Sequence, residues 1–483
     1  MERKDRPALR LALLAISQFL IAVDFDIVFV ALPAIGRDLD FSPQTLQWVI
    51  SAYTVTTGGF LLFGGRAADR LGARRVFIAG IAVFGLASLV GGLAESQTVL
   101  IAARAVQGLG GALLTPAVLR LINISFEGKA KVRAFTIWSM AGSSGAAVGA
   151  LGGGVLTSFL GWEWVLFVNV PVVALTLLAA PRLLHRDTTV DGSGKGFDLP
   201  GAIVATVGAT LLVFGLVSGP ESGWATLEGL GALSAGLALL ALFVWIEHRS
   251  ASPLMPLRLF RNRSLVVAMA VVFIFMGVIG TEYFLFTSHV QNVLGYTTLQ
   301  AGLAFLPLSA LSMAGAAKVA PYIVGRFGTR TSISLGMVVV AASFLALGLG
   351  MTVGGSYSAL IPGIVLWGLG AGTAFPPIFM TAGSEVAPDE QGVAGAMTST
   401  AQFIGGAVIL AGLVAIANAG IDLHSATPAP VGDVSDGLRA AAFAGGLLTL
   451  VGAGLARLLR KQPAPDDTTA PTAAAGPAPV PVG

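Results

Sequence analysis

Four ionisable side chains occur inside long apolar segments of this sequence: Asp24, Asp26, Arg104 and Glu282. An ionisable group in the hydrocarbon of a bilayer costs about 2.5 kcal/mol or more, so such residues persist mainly for pairing or for function. A carboxylate beside an arginine stays ionised, whereas one that loses this partner in a desolvated cavity takes up a proton more readily. The chemistry that these four residues predict is the loading and release of protons.

Helix geometry separates the roles of these four residues. Asp24 and Asp26 lie in the first apolar segment and Arg104 in the fourth, all roughly 9 to 13 Å deep, so an ion pair is feasible. The two aspartates point roughly 160° apart on a helix, and we choose Asp24 as the main proton carrier. The alternative is a structural carboxylate–arginine pair that only fixes helix packing. Glu282 is a second candidate, with local pairing or a wet vestibule as its alternative.

A glycine-containing basic loop, Gly64-Gly-Arg-Ala-Ala-Asp-Arg-Leu-Gly-Ala-Arg-Arg75, follows the second apolar segment. Its glycines permit a tight turn, and its arginines suit water and anionic lipid. An ordinary topology-setting loop would need only the arginines, so the full spacing favours a functional motif. The predicted gating residues are Gly64, Asp69, Arg70, Gly72, Arg74 and Arg75.

Two further sets of residues are predicted from helical segments. Small residues four apart let a neighbouring helix approach closely, so we expect tight packing in the fifth segment at Gly145, Gly149, Gly153 and Gly154. The polar and aromatic residues that we expect in a substrate cavity are Asp24, Tyr53, Gln107, Trp138 and Glu282.

Composition excludes several classes of protein. The 483 residues are 55% hydrophobic and 11% charged, whereas soluble domains contain about a quarter charged residues. The absence of cysteine excludes thiol chemistry and cysteine metal sites, and the four histidines are scattered. No phosphate-binding loop or catalytic constellation is present. We therefore expect no enzyme, no metal or cofactor and no nucleic-acid partner.

The apolar segments predict an all-α polytopic membrane protein. About fourteen segments are each long enough to span a bilayer, which takes about 20 residues. Threading them in order puts nearly all lysines and arginines on one side and only Arg37 and Arg439 on the other. The positive-inside rule then predicts a multi-pass protein of the cytoplasmic (inner) membrane with both termini in the cytoplasm.

Two internal repeats divide the chain. Asp69-Arg-Leu-Gly-Ala-Arg74 recurs as Gly325-Arg-Phe-Gly-Thr-Arg330, and Gly108-Leu-Gly110 recurs as Gly368-Leu-Gly370. Repeated halves are an architecture of many transporters. We expect a six-helix bundle over residues 1–185, two inserted helices and linkers over 186–260, a second six-helix bundle over 261–460, and a disordered cytoplasmic tail over 461–483.

These motifs together resemble the major facilitator superfamily, specifically its fourteen-helix drug:proton antiporters of the EmrB/QacA type. The loop from Gly64 is similar to the family's signature loop, whose Asp, here Asp69, stabilises one gating state. Arg104 matches the fourth-helix arginine that the family uses in proton transfer, and the segment from Gly145 resembles the antiporter motif of the fifth helix. Asp24 matches the first-helix motif, in which Asp26 and Phe29 replace the usual Thr and Asn.

The resemblance implies two bundles of the major facilitator fold with two extra central helices, and proton-driven export of amphiphilic organic compounds such as antibiotics by alternating access. The expected partners are such a compound, protons and the lipid bilayer, and the expected state is a monomer. One alternative is a carrier of the same fold for a sugar, peptide or organic acid. Another, from a different class, is a membrane receptor or enzyme.

Overall fold

The computed structural model describes residues 6–42, 44–126, 128–185, 187, 198–250, 253–382, 386, 391–421 and 429–460. The segment predicted as a disordered tail, 461–483, lies outside these residues. Within them, all regular secondary structure is helical, which confirms the predicted fold class.

Fourteen long helices follow one another in the described part of the chain. The first seven are α1 (Pro7–Asp38), α2 (Trp48–Leu71), α3 (Ala73–Gly92), α4 (Gln97–Ser125), α5 (Gly128–Phe159), α6 (Trp164–Leu183) and α7 (Leu199–Ser222). The second seven are α8 (Leu227–Arg249), α9 (Arg263–Val293), α10 (Thr298–Phe327), α11 (Thr329–Gly350), α12 (Tyr357–Ala382), α13 (Gln391–Ala417) and α14 (Val431–Ala456).

Thirteen of these helices are long and apolar enough to cross a membrane. The exception is α5, which has 32 residues but is comparably apolar, among its described residues, only over Val148–Phe159. Its length still exceeds the roughly 20 residues that a bilayer requires. The count therefore agrees with the prediction of about fourteen spans.

The internal repeat of the sequence reappears in the backbone. Gly72 separates α2 from α3 with a φ of 97°, and Gly328 separates α10 from α11 with a φ of 83°. This left-handed backbone strongly favours glycine, because a Cβ atom would clash with the following carbonyl. The two repeated loops thus make the same sharp turn at matching positions.

Helix packing repeats in the same way. In the first half α1 packs on α5, α2 on α4, and α3 on α4 and α6. In the second half α9 packs on α13, α10 on α12, and α11 on α12 and α14. The helices α7 and α8 pack on each other, and α7 also contacts both α2 and α13. The inserted pair therefore lies beside the line where the two halves meet.

The halves are joined at the end of the molecule opposite the N-terminal end of α1. Gln291 Nε2 donates to the Val30 carbonyl at 3.0 Å, and Asn418 Nδ2 donates to Gln44 Oε1 at 3.0 Å. Gly154 of α5 also lies against Gly302 of α10, so closely that a Cβ atom at residue 302 would stand 3.1 Å from the Gly154 Cα. We call this the closed end, and the end that carries the start of α1 the basic end.

Candidate functional site

A buried polar cluster lies inside the first half, where α1, α3, α4 and α6 come together. We call its members Asp24, Ser88, Arg104, Gln107 and Asn169 the Asp24 cluster. Its centre is an ion pair with 2.7 Å between Arg104 Nη1 and Asp24 Oδ2, and the two side chains are 1% and 0% exposed. The pairing expected from the matched depths of these two residues is present in the structure.

The Asp24 carboxylate is held by two further donors. Its Oδ1 atom accepts hydrogen bonds from Gln107 Nε2 and Asn169 Nδ2, both at 2.7 Å. Gln107 Nε2 also donates to Ser88 Oγ at 2.7 Å, so the amide bridges α1 and α3. Arg104 and Gln107 lie three residues apart on α4, which places both on one face of that helix.

The arginine of the cluster is equally well satisfied. Arg104 Nε donates to the Val49 carbonyl of α2 at 2.9 Å, and its Nη1 atom donates to Gln107 Oε1 at 2.6 Å. Its guanidinium carbon stands 4.5 Å from the centre of the Tyr53 ring, in cation–π range. Removing one partner from a buried pair leaves an uncompensated charge, which typically costs about 3–5 kcal/mol. Any proton that binds Asp24 must therefore rearrange this whole cluster.

The second aspartate of α1 is not part of the cluster. Asp26 is 8% exposed, and among the described residues it makes no hydrogen bond and no ion pair. It lies beside α5, where a Cβ atom on Gly149 would stand 3.1 Å from the Asp26 Cβ. The two aspartates, expected to point in nearly opposite directions, thus occupy different environments.

The carboxylate predicted in the second half is buried inside that half. Glu282 of α9 is 0% exposed, and its Oε1 atom accepts a short hydrogen bond from Ser343 Oγ of α11. Its Oε2 atom has no hydrogen-bond partner in the part of the chain that the structure describes. Within the described residues, Glu282 also forms no ion pair, which distinguishes it from Asp24.

The loop predicted to gate is anchored by a residue that the sequence did not single out. Asp187 accepts hydrogen bonds from the backbone N–H groups of Arg74 at 3.0 Å and Arg75 at 3.1 Å, through one carboxylate oxygen each. Arg74 Nη2 also donates to the Pro181 carbonyl at 3.0 Å. A carboxylate at the start of α3 satisfies free N–H groups and the helix dipole.

The remaining predicted gating residues occupy the end of α2 and the turn that follows. Gly64 lies directly against α4, where a Cβ atom would collide with the Ala112 carbonyl, and Gly72 makes the turn. The side chain of Asp69 lies outside the described part of the structure. Arg70 is in the last turn of α2.

The four glycines of α5 make two kinds of contact. Gly145, Gly149 and Gly153 face α1, and a Cβ atom at residue 153 would stand 2.6 Å from the Ile27 carbonyl. Gly154 instead faces α10 of the other half. The fifth helix therefore packs tightly both within its own half and across the line between the halves.

The prediction of the residues that line a substrate cavity differs from the structure, because none of the five lines the cavity between the halves. A narrow cavity between the halves is lined by Phe25, Phe29, Ile50, Thr54, Met276, Gly280, Gln402, Phe403, Gly406 and Leu410. Asp24, Tyr53 and Gln107 are buried in or beside the Asp24 cluster, and Glu282 inside the second half. Trp138 is half-buried on α5 and does not line this cavity. The walls are thus more apolar and aromatic than we expected.

Sequence reasoning missed Ser88, Asn169, Asp187 and Ser343 as members of these sites. Asn169 was missed because a single amide in an apolar helix does not reveal its partner. Its Oδ1 atom has no hydrogen-bond partner among the described residues.

The chain matches a known protein family and several known proteins. The model of the Major Facilitator Superfamily matches residues 14–410. The chain is 39% identical to the cephamycin export protein CmcT of Amycolatopsis lactamdurans, over 92% of this chain and 93% of that protein. It is 38% identical to the puromycin resistance protein pur8 of Streptomyces alboniger, over 91% and 89%.

A third relative is the tetracenomycin C resistance and export protein of Streptomyces glaucescens, with 33% identity over 84% of this chain and 75% of that protein. The crystal structure of the POT family transporter PepTSo superposes with a TM-score of 0.67, covering 94% of this chain and 99% of that one. This superposition shows a shared fold, and at 16% identity it shows nothing more.

Proposed function

The chain belongs to the Major Facilitator Superfamily, and we propose that it exports small amphiphilic organic compounds, antibiotics among them, in exchange for protons. Export of such compounds is supported by relatives that are 33–39% identical to this chain over the aligned residues and are named for antibiotic export or resistance. Coupling to protons is the further step of the proposal, and the Asp24 cluster carries it.

The contacts of the Asp24 carboxylate support the proposal that this residue exchanges the proton. Arg104, Gln107 and Asn169 donate to it when it is ionised. A proton on Asp24 cancels the charge that holds Arg104 and replaces one acceptor with a donor. Because the cluster ties α1 to α3, α4 and α6, that change favours a different arrangement of these helices. Proton uptake is thereby linked to the position of α1 against the second half.

Alternating access gives this link a direction. The halves are joined at the closed end, where Gln291 donates to Val30 of α1 and Asn418 donates to Gln44, which precedes α2. The distribution of lysine and arginine supports a cytoplasmic location for the basic end and both termini, in a cytoplasmic membrane. On this assignment the conformation is closed toward the outside, and the compound enters from the cytoplasm or the inner leaflet. We propose that the protein works in this way as a monomer.

The structural alternative for Asp24 is that its ion pair only fixes helix packing. A purely structural pair would respond to neutralisation with lower stability but unchanged coupling in the fraction that folds. Coupling and stability therefore have to be measured on the same variant.

An export assay in cells that lack their own drug exporters tests the function. Cells that express the protein should accumulate less cephamycin, puromycin or tetracenomycin C than cells with an empty vector, and a protonophore should abolish the difference. Export that persists unchanged with the protonophore would contradict proton coupling. Equal accumulation of all three antibiotics and of ethidium in both kinds of cell would contradict drug export.

A further inference from the structure

Two glycines on the second-half wall of the cavity between the halves leave open space in it. This wall is formed by α9 and α13, and Gly280 of α9 and Gly406 of α13 both line the cavity. A Cβ atom on either glycine would meet no atom of the described residues within 4 Å outside its own stretch of helix. Neither glycine has the positive φ that favours this residue type. We call the wall that contains Gly280 and Gly406 the glycine wall.

Neighbouring glycines of the same two helices differ, because they are needed for packing. A Cβ atom at Gly277 would stand 2.7 Å from the Gly405 carbonyl oxygen, and one at Gly405 would collide with the backbone of Phe273. Small residues at these positions let α9 and α13 approach closely. Gly280 and Gly406 make no such contact, although glycine inside a helix is less favourable than alanine. Close packing therefore explains the first pair of glycines but not the second.

The glycine wall faces aromatic and aliphatic side chains of the first half. Phe25 and Phe29 of α1 and Ile50 of α2 line the cavity from that side. The ring centres of Phe25 and Phe29 are 5.6 Å apart, and the ring planes meet at 68°. Phe403, three residues before Gly406, adds a ring from the second half. A flat ring system lying on the glycine wall would make the edge-to-face and offset contacts that aromatic groups prefer.

One polar side chain of the glycine wall is available to a bound compound. Gln402 lies one helical turn before Gly406 on α13, so the two residues share a face. It is half-buried, lines the cavity and makes no hydrogen bond within the described part of the chain. Thr54, on the opposite wall, already donates to the carbonyls of Ile50 and Ser51. The Gln402 amide offers both a donor and an acceptor, which suits a neutral carbonyl, amide or hydroxyl group.

We infer that Gly280 and Gly406 determine substrate specificity by leaving room for a flat, fused aromatic ring of the exported compound, while Gln402 hydrogen-bonds a neutral polar group at the edge of that ring. This inference rests on the proposed export function and names the class of substrate. A methyl group on either glycine would occupy the space that the ring needs. A change of that size in a close-fitting apolar pocket alters affinity by about tenfold or more.

Equilibrium binding to the purified full-length protein, at one pH and without a gradient, tests the glycine wall. The probes are Nile red, a flat neutral dye with a ring carbonyl, and pyrene, a flat hydrocarbon, and the fluorescence of protein-free micelles is subtracted. Gly280→Ala and Gly406→Ala should each weaken binding of both probes about tenfold without lowering the melting temperature. Gly412→Ala is the matched control, because Gly412 lies on α13 with equally open space but does not line the cavity. It should change neither quantity.

A further variant, Gln402→Met, separates the polar contact from the shape of the cavity. Methionine is close to glutamine in size but lacks the amide, so this variant should weaken binding of Nile red about fivefold. Binding of pyrene, which has no polar group, should change by less than about twofold. An equal effect of Gln402→Met on the two probes would contradict the role of Gln402.

Three other results would overturn the inference. The first is unaltered affinity for both probes in Gly280→Ala and Gly406→Ala. The second is a loss of affinity in these variants that Gly412→Ala shares or that accompanies a lower melting temperature. The third is the failure of both probes to bind the unaltered protein. Because no gradient is applied, a protein that fails to export or to exchange protons can still show the glycine-dependent affinity, so the two proposals fail separately.

Discussion

Arg104 Nη1 lies 2.7 Å from Asp24 Oδ2, and neither side chain is more than 1% exposed. The two residues are 80 positions apart in the chain, and each has further hydrogen-bond partners of its own. The proposed coupling depends on this ion pair and on the residues that contact it.

Asn169 should contribute to coupling through its hydrogen bond to Asp24. Asn169→Ala removes a donor 2.7 Å from the carboxylate, and a hydrogen bond to a charged group is worth about 1.5–3 kcal/mol. We therefore expect substrate-driven proton exchange to fall by about ten-fold or more. Asn123→Ala, which changes an exposed amide that only contacts its own helix, should leave exchange unchanged. Exchange in Asn169→Ala at the level of Asn123→Ala would show that this donor is dispensable.

Two adjacent glycines of α5 provide a matched test of helix packing. A Cβ atom at Gly153 would stand 2.6 Å from the Ile27 carbonyl, whereas one at Gly152 would have its nearest neighbour at 3.8 Å. Gly153→Ala should push α5 away from α1, lower the melting temperature by several degrees and increase passive proton leak in liposomes. Gly152→Ala should do neither. Equal behaviour of the two variants would contradict the tight contact.

Asp187 should stabilise the turn between α2 and α3. Asp187→Asn weakens the acceptor for two backbone N–H groups at the start of α3, and such a cap is worth about 1 kcal/mol. We expect a small decrease in thermal stability together with faster proteolysis at the loop that follows α2. The exposed Asp436→Asn variant is the control. Identical stability of the two variants would contradict the stabilising role of Asp187 in this turn.

The inserted helices should move with the first half. Arg66 of α2 donates to the Pro253 carbonyl at 2.7 Å, and Glu247 of α8 accepts from the N–H groups of Leu254 and Met255, so this linker joins the inserted pair to α2. The contact of α7 with α13 is apolar, and Val55 of α2 belongs to the same buried cluster as Ala209, Val213, Val217, Ala407 and Ala411. The polar link at Arg66 is therefore what distinguishes the first half.

Thiol cross-linking tests this motion directly, because the chain contains no native cysteine. A tether between cysteines at Val55 and Val213 joins α7 to α2, and one between Val217 and Ala411 joins α7 to α13. The first should leave efflux near that of the reduced protein, and the second should stop it until a reducing agent cleaves the tether. The opposite pattern would place the inserted pair with the second half.

Much of the fold could be predicted because it depends on local sequence patterns. Runs of apolar residues predicted the positions of the helices, and Gly72 and Gly328 indicated the repeated turns. The pairing of Asp24 with Arg104 was also predictable, because two buried opposite charges at one depth have few other partners. The separation of Asp24 from Asp26 followed from helical rotation alone.

The rest of the site depends on tertiary packing. Gln107 was expected in the substrate cavity but faces the interior of its own half, because α4 is packed against both α2 and α3. The contributions of Ser88 and Asn169 depend on which faces of α3 and α6 turn toward Asp24, and neither helix has a polar stripe that reveals it. Asp187 reaches the start of α3 from 112 positions away, which no local pattern encodes.

The proposed role of Asp24 is to exchange the proton that drives export. Purified protein and its Asp24→Asn variant are reconstituted in liposomes that contain a pH-sensitive dye, and proton movement is recorded on addition of an exported antibiotic. We predict proton movement with the unaltered protein and none with Asp24→Asn, although the variant still folds and binds the antibiotic. Full proton movement with folded Asp24→Asn would contradict the account.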